Sequence, residues 1–134
     1  MADRQGILLF AHGARDPAWA RPFEQAAQRL SARAQAEGAV VRLAFLEFMT
    51  PDIVSAGDAL AQEGCRQVTV VPLFLGAGGH VRKDLPLLLQ TLSDRHPGVR
   101  WDLSPAVGET DALIQALADA AWDLAHPDQP PVRP

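Results

Sequence analysis

Cysteine and lysine each occur once in this chain of 134 residues, and both shortages narrow its chemistry. Cys65 stands alone, so neither a disulfide framework nor a CxxC redox or zinc motif can form within the chain. Lys83 is the single lysine, and arginine supplies every other cationic side chain. With a formal net charge of −4 and no basic stripe, the chain lacks the surface of a nucleic-acid binder. No apolar run approaches the roughly 20 residues of a membrane helix, so no membrane association is expected. The opening MADRQGILLFAHG places one arginine before a short apolar run ending at His12, which is not secretory organisation. Cytoplasmic residence is the expectation. Neither GxGxxG nor GxxxxGK[ST] occurs, which argues against a dinucleotide site, excludes a P-loop and leaves no organic cofactor expected.

What is present is a globular composition, 48% hydrophobic and 21% charged, on a chain long enough for one domain. That domain is expected over residues 1–126, with a proline-rich, frayed tail over 127–134. Apolar runs at Gly6–Ala11, Val40–Leu46 and Gln67–Leu73 read as strands buried on both faces, with Pro72 at the exit of the third. Val99–Leu103 alternates more clearly and suits a strand nearer the edge. Between them the period becomes helical. Phe23, Ala26, Ala27, Leu30 and Ala34 mark the first helix, stopped by Gly38. Thr50 and Pro51 read as N-cap and first residue of the second, which Gly64 ends. The third starts near Asp84, with Pro86 close to its start and a buried stripe of Leu85, Leu88, Leu89 and Leu92. Leu113, Leu117, Ala120, Ala121 and Leu124 form the apolar stripe of the fourth. Strict β-α alternation implies right-handed crossovers, a parallel four-stranded sheet and helices on both faces, a three-layer α/β/α domain.

In such folds ligands bind beyond the carboxyl ends of the strands. His12-Gly13-Ala14-Arg15-Asp16-Pro17 follows the first strand, Glu47 follows the second, and Gly76 to Asp84 follows the third. Two histidines and a carboxylate on one sheet edge suit a borderline divalent metal such as cobalt, iron, nickel or zinc. Neutral histidine also accepts a proton near neutral pH. Arg15, Arg82 and Lys83 are candidates for receiving substrate carboxylates. Pairing with Asp16 and simple solvation are the plainer accounts of Arg15 and Lys83, and a capping role is the plainer account of Asp84. His96 and His126 belong to helix ends, and Trp19, Trp101 and Trp122 read as packing or interface surface.

The segments ILLFAHGARDP, LAFLEFMTPDI and VVPLFLGAGGHVRKDLP, in that order, resemble the signature regions of the small CbiX/SirB-like sirohydrochlorin chelatases. The resemblance runs from Gly6 through the last helix, and the core motifs show no departure. It implies a chelatase-like domain that inserts a divalent metal, the metal being a substrate, into sirohydrochlorin or a related carboxylated tetrapyrrole. It also implies that His12 and His80 coordinate that metal, and that Glu47 positions it or manages protons. Arg15, Arg82 and Lys83 would face the acidic periphery of the macrocycle. Cobalt is favoured over iron or nickel. A non-catalytic metal or tetrapyrrole carrier is the alternative of another class. Because larger family members contain two similar lobes, a homodimer of single lobes is expected.

Overall fold

The computed structural model describes residues 4–76 and 78–128, with His80 described by its backbone alone. The expected tail lies outside the described residues from position 129 onward. Strands β1 (Arg4–Ala11), β2 (Val40–Phe45), β3 (Cys65–Pro72) and β4 (Arg100–Leu103) alternate with helices α1 (Ala20–Gln35), α2 (Ile53–Gln62), α3 (Gly79–Arg95) and α4 (Asp111–Ala125). The sheet is parallel throughout in the order β2-β1-β3-β4. Strands β1 and β3 therefore sit in the middle, where both faces can be covered. Cys65 opens β3 and is fully buried, a placement that pushes its thiol pKa up through desolvation.

Register decides which side chains share a layer. Leu8, Phe10, Val68 and Val70 point to one face and form the core with Ile53, Ala56 and Leu60 of α2 and Leu85 and Leu92 of α3. Gly57 of α2 leaves room there: a Cβ at this position would meet the side chains of Leu92 and Trp101. The other face carries α1, which rests on β2 through Phe23 and Phe45, rings edge-on at 6.4 Å. Helices thus flank the sheet on both sides.

Two helix starts differ from the sequence expectation. Asp52, not Thr50, caps α2, accepting a 2.7 Å hydrogen bond from the Ser55 N–H; a carboxylate is a strong cap, and this one stands directly before Ile53, the first buried residue of the helix. Helix α3 begins at Gly79, five residues ahead of Asp84, so Pro86 lies inside it. Of the glycines in the β3–α3 connection, Gly76 and Gly78 stay outside the helix, Gly78 as its N-cap, and only Gly79 enters it. Burial of Leu85 and Leu92 outweighs the ladder hydrogen bond that Pro86 cannot make.

Helix α4 packs differently. Its apolar side is open: Ile114, Leu117 and Leu124 are 54%, 52% and 82% exposed and no residue of α4 is buried. Its main contact is the 3-10 turn Val107–Glu109 that leads into it. The pattern is amphipathic, but nothing among the described residues covers its apolar side.

At the far end from the strand tips, Asp58 of α2 clamps the end of α3. Arg95 reaches it with two nitrogens at 2.9 and 2.5 Å, and His96 Nε2 lies 2.6 Å from Oδ1. The Arg95 hydrogen bonds lower the Asp58 pKa from its ordinary value, partly opposed by burial.

Candidate functional site

Where β1 ends, the chain must turn away from the sheet at His12 and Gly13. Where β2 ends, it turns at Glu47 and Phe48. The neighbouring strands bring these turns together. Glu47 Oε1 lies 3.1 Å from His12 Nδ1, and Glu47 Oε2 accepts the Gly13 N–H at 3.0 Å. A carboxylate only accepts, so Nδ1 carries the proton in this contact and the lone pair of the neutral ring lies on Nε2. Burial pushes the Glu47 carboxyl up, but the Gly13 N–H, the His12 hydrogen bond and the His12 charge together leave it below its ordinary value. The pair is half-buried and holds a carboxylate against an imidazole at the carboxyl edge of the sheet.

The Glu47 turn is unusually tight. Met49 N–H donates to the Glu47 carbonyl at 2.8 Å, closing a three-residue turn around Phe48, whose φ is +65°. A γ-turn with positive φ is rare and strained, costing on the order of 1–3 kcal/mol in a residue that bears a side chain. The same carbonyl occupies the space where a Cβ on residue 13 would stand, so only glycine fits there.

The His12 ring packs on Phe74, centroids 4.5 Å apart. Phe74 is placed by β3, whose exit is tied to β1 through Leu73 N–H and the Phe10 carbonyl at 2.7 Å. Gly108 N–H donates to the Phe74 carbonyl at 2.9 Å from the other side. Trp19 Nε1–H donates to the His12 carbonyl at 2.7 Å. A pocket of about 350 Å³ opens beside His12, walled by Trp19, Phe23, Phe74 and Leu75. One polar group at the mouth of an apolar, aromatic-lined recess suits a flat, largely apolar ligand with a reactive centre.

Sequence reasoning placed His12 and Glu47 on one edge, and the structure brings them into contact. His80 is the second residue of α3, on the same edge by chain path, and its side chain lies outside the described residues. Among the described residues no three His, Cys, Asp or Glu side chains gather into a metal cluster. His12 and Glu47 are therefore the described donors. The Arg15 guanidinium carbon stands 5.2 Å from the Phe48 ring centroid instead of pairing with Asp16, whose carboxylate caps the 3-10 turn Pro17–Trp19. Arg82 and Lys83 are exposed in the first turns of α3 and make no contact with His12 or Glu47 among the described residues. Trp19, Phe74 and Phe48 were missed as site residues. Adjacency of β1 and β3 would have pointed to Phe74; no sequence signal marks the strained turn at Phe48.

A parallel sheet flanked by helices, with a histidine–carboxylate couple at its carboxyl edge, defines a chelatase-like α/β protein. The chain belongs to the CbiX family, whose model matches residues 6–123. It is 27% identical over 125 residues to the sirohydrochlorin ferrochelatase of Bacillus subtilis, covering 92% of this chain and 47% of that protein, so it spans less than half of that relative. It is 29% identical over 119 residues to the sirohydrochlorin cobaltochelatase of Sulfurisphaera tokodaii, covering 89% of this chain and 92% of that protein. Its fold is similar to a crystal structure named for a cobalamin (vitamin B12) biosynthesis CbiX protein from Marinobacter aquaeolei VT8. The TM-score is 0.77 at 33% identity, covering 90% of this chain and 97% of the other.

Proposed function

We propose that this protein inserts a divalent metal into sirohydrochlorin or a related carboxylated tetrapyrrole, with cobalt preferred over iron or nickel. The observation that carries the reading is the His12–Glu47 couple at the mouth of the aromatic pocket. Glu47 fixes the imidazole with Nδ1–H toward the carboxylate, which leaves Nε2 to hold a metal; a carboxylate behind a ligating histidine is a common way to orient the ring and raise its basicity. His80, on the same sheet edge, is the proposed second ligand, and Glu47, turned to His12 Nδ1 and the Gly13 N–H, positions the metal from behind His12. Two of the central nitrogens of the macrocycle each exchange a proton for a bond to the metal, so two protons leave for each metal inserted. Surrender of the metal frees His12 Nε2 to accept one of them, with Glu47 behind it to stabilise the imidazolium, and the second passes to solvent water. Arg15, Arg82 and Lys83 receive the carboxylates of the macrocycle rim.

The cobalt preference is supported by the Sulfurisphaera tokodaii relative, a cobaltochelatase of nearly the same extent as this chain. We place the protein in the cytoplasm as a homodimer of single domains spanning residues 1–126. No helix among the described residues is long and apolar enough to cross a membrane. The dimer is supported by α4, whose apolar stripe has no cover among the described residues, and by the two-fold length of the Bacillus relative. Charge fits as well: the charged side chains of α4 are all acidic, Asp111, Asp119 and Asp123, whereas α1 carries Arg21, Arg29 and Arg33 against one glutamate. Optical titration of purified protein with sirohydrochlorin and cobalt, iron or nickel separately tests the function. Acceleration over the protein-free rate, largest with cobalt, is expected. Binding without acceleration would make the protein a carrier, and faster iron or nickel insertion at equal free metal would overturn the preference.

A further inference from the structure

Phe48 is a large apolar ring that folding leaves 64% exposed, at the residue following Glu47. Its backbone has a φ of +65°, in the turn closed by Met49 N–H and the Glu47 carbonyl. Asparagine, aspartate and glycine are the residues that adopt such backbone readily, and phenylalanine has no local hydrogen bond to offset it. An exposed ring on a strained backbone gains nothing for stability by being there, and strain of this kind collects at ligand sites. The ring is also not free to wander. The Glu47 carbonyl packs against Gly13, which fixes the Phe48 turn to the His12 loop. From that loop Arg15 lays its guanidinium near the ring, 5.2 Å from the centroid, and Arg15 has no carboxylate partner among the described residues.

We propose that Phe48 is the platform on which the conjugated macrocycle lies, with Arg15 beside it to receive a rim carboxylate. This rests on the tetrapyrrole reading above and adds to it a binding residue that the motifs did not mark. A flat π surface meets the ring face, the cation meets the carboxylate, and both are held next to the His12–Glu47 couple before the ligand arrives. Binding therefore involves little reordering of the rim.

The test is binding of metal-free sirohydrochlorin, followed by absorbance, to wild type and to Phe48→Ala, Phe48→Gly, Phe48→Trp and Arg15→Gln, alongside cobalt binding without macrocycle. Removal of the ring is expected to raise the Kd for the macrocycle about tenfold, as aromatic stacking contacts do, and tryptophan to keep it within about threefold. Phe48→Gly separates ring from strain: it is expected to unfold at a higher temperature than Phe48→Ala and still to bind poorly. Arg15→Gln is expected to weaken binding by about threefold at low salt and less at high salt. Cobalt binding should be unchanged in all four. Wild-type macrocycle affinity in Phe48→Ala and Phe48→Gly would overturn the proposal, as would loss of cobalt binding in step with macrocycle binding, or a halved molar mass that marked Phe48 as subunit interface. If wild type metallates sirohydrochlorin while Phe48→Ala is unimpaired, this proposal alone falls; if wild type binds no macrocycle, the proposed function falls with it.

Discussion

Glu47 and Gly13 are joined twice: Glu47 Oε2 accepts the Gly13 N–H at 3.0 Å, and the Glu47 carbonyl fills the place of a Cβ on residue 13. Two loops from different strands are thereby fixed to each other by backbone as well as side chain. Gly13→Ala forces that backbone apart, since the obstructing atom is a carbonyl oxygen and not the end of a flexible chain. A loss of about 1–3 kcal/mol of stability is expected by denaturant unfolding, with metallation reduced at least about tenfold. Gly79→Ala, where nothing lies within 4 Å, is the control and should be as stable as wild type or more so.

Glu47→Gln keeps the shape and the bond from Gly13 but removes the charge that orients His12. Metallation at limiting metal should fall about 10- to 100-fold. The folded-state pKa of Glu47 is depressed below its ordinary 4.5. Its stabilising contribution is thus fully present above that ordinary value and lost as pH falls through the lower, folded one. Urea unfolding of wild type and variant should differ by less than about 1 kcal/mol at neutral pH, because the pair is partly solvated, and converge below the folded value. A gap that widens on acidification would contradict the assignment.

Asp58 offers a test away from the site. Asp58→Asn removes the charge that holds Arg95 and His96, and a loss of about 1–2 kcal/mol is expected after allowing for solvent around Arg95. Its folded-state pKa is also depressed, from 3.8, so this contribution persists at neutral pH and is lost only as pH falls through the lower folded value. Metallation per folded molecule should be unchanged.

Most of the fold was legible because its signals are local. GILLFA and VTVV are short apolar runs that only a doubly covered strand can use, and Gly38, at φ +73°, stops α1 where the sequence placed the stop. That His12 and Glu47 share one sheet edge followed from the β-α alternation, whereas their contact depends on β2 lying beside β1. The start of α3 was not legible, because tertiary burial of its leucines outweighs what Gly78, Gly79 and Pro86 favour locally. Nor was the exposure of α4: periodicity reveals that a helix has an apolar side, not which chain covers it. The strain at Phe48 arises from a contact between two loops, and no pattern within either loop encodes it.

The uncovered helix makes its own prediction. Leu117→Asp and Leu124→Asp place a charge on the apolar stripe of α4, which bears on no core among the described residues. Light scattering after size exclusion should show wild type at twice the chain mass and the variants at one chain mass. The variants should remain folded, because their substitutions leave no cavity in the sheet's core. A wild type of single mass across the concentration range would contradict the dimer.

The most direct test of the account is the rate of cobalt insertion into sirohydrochlorin at limiting free cobalt, measured by absorbance for wild type, His12→Ala and His80→Ala. Wild type should exceed the protein-free rate by orders of magnitude, and each variant should lose at least about 100-fold while its far-UV spectrum and unfolding midpoint stay near wild type. Wild-type turnover in both folded variants would show that the His12–Glu47 edge is not where metal is handled.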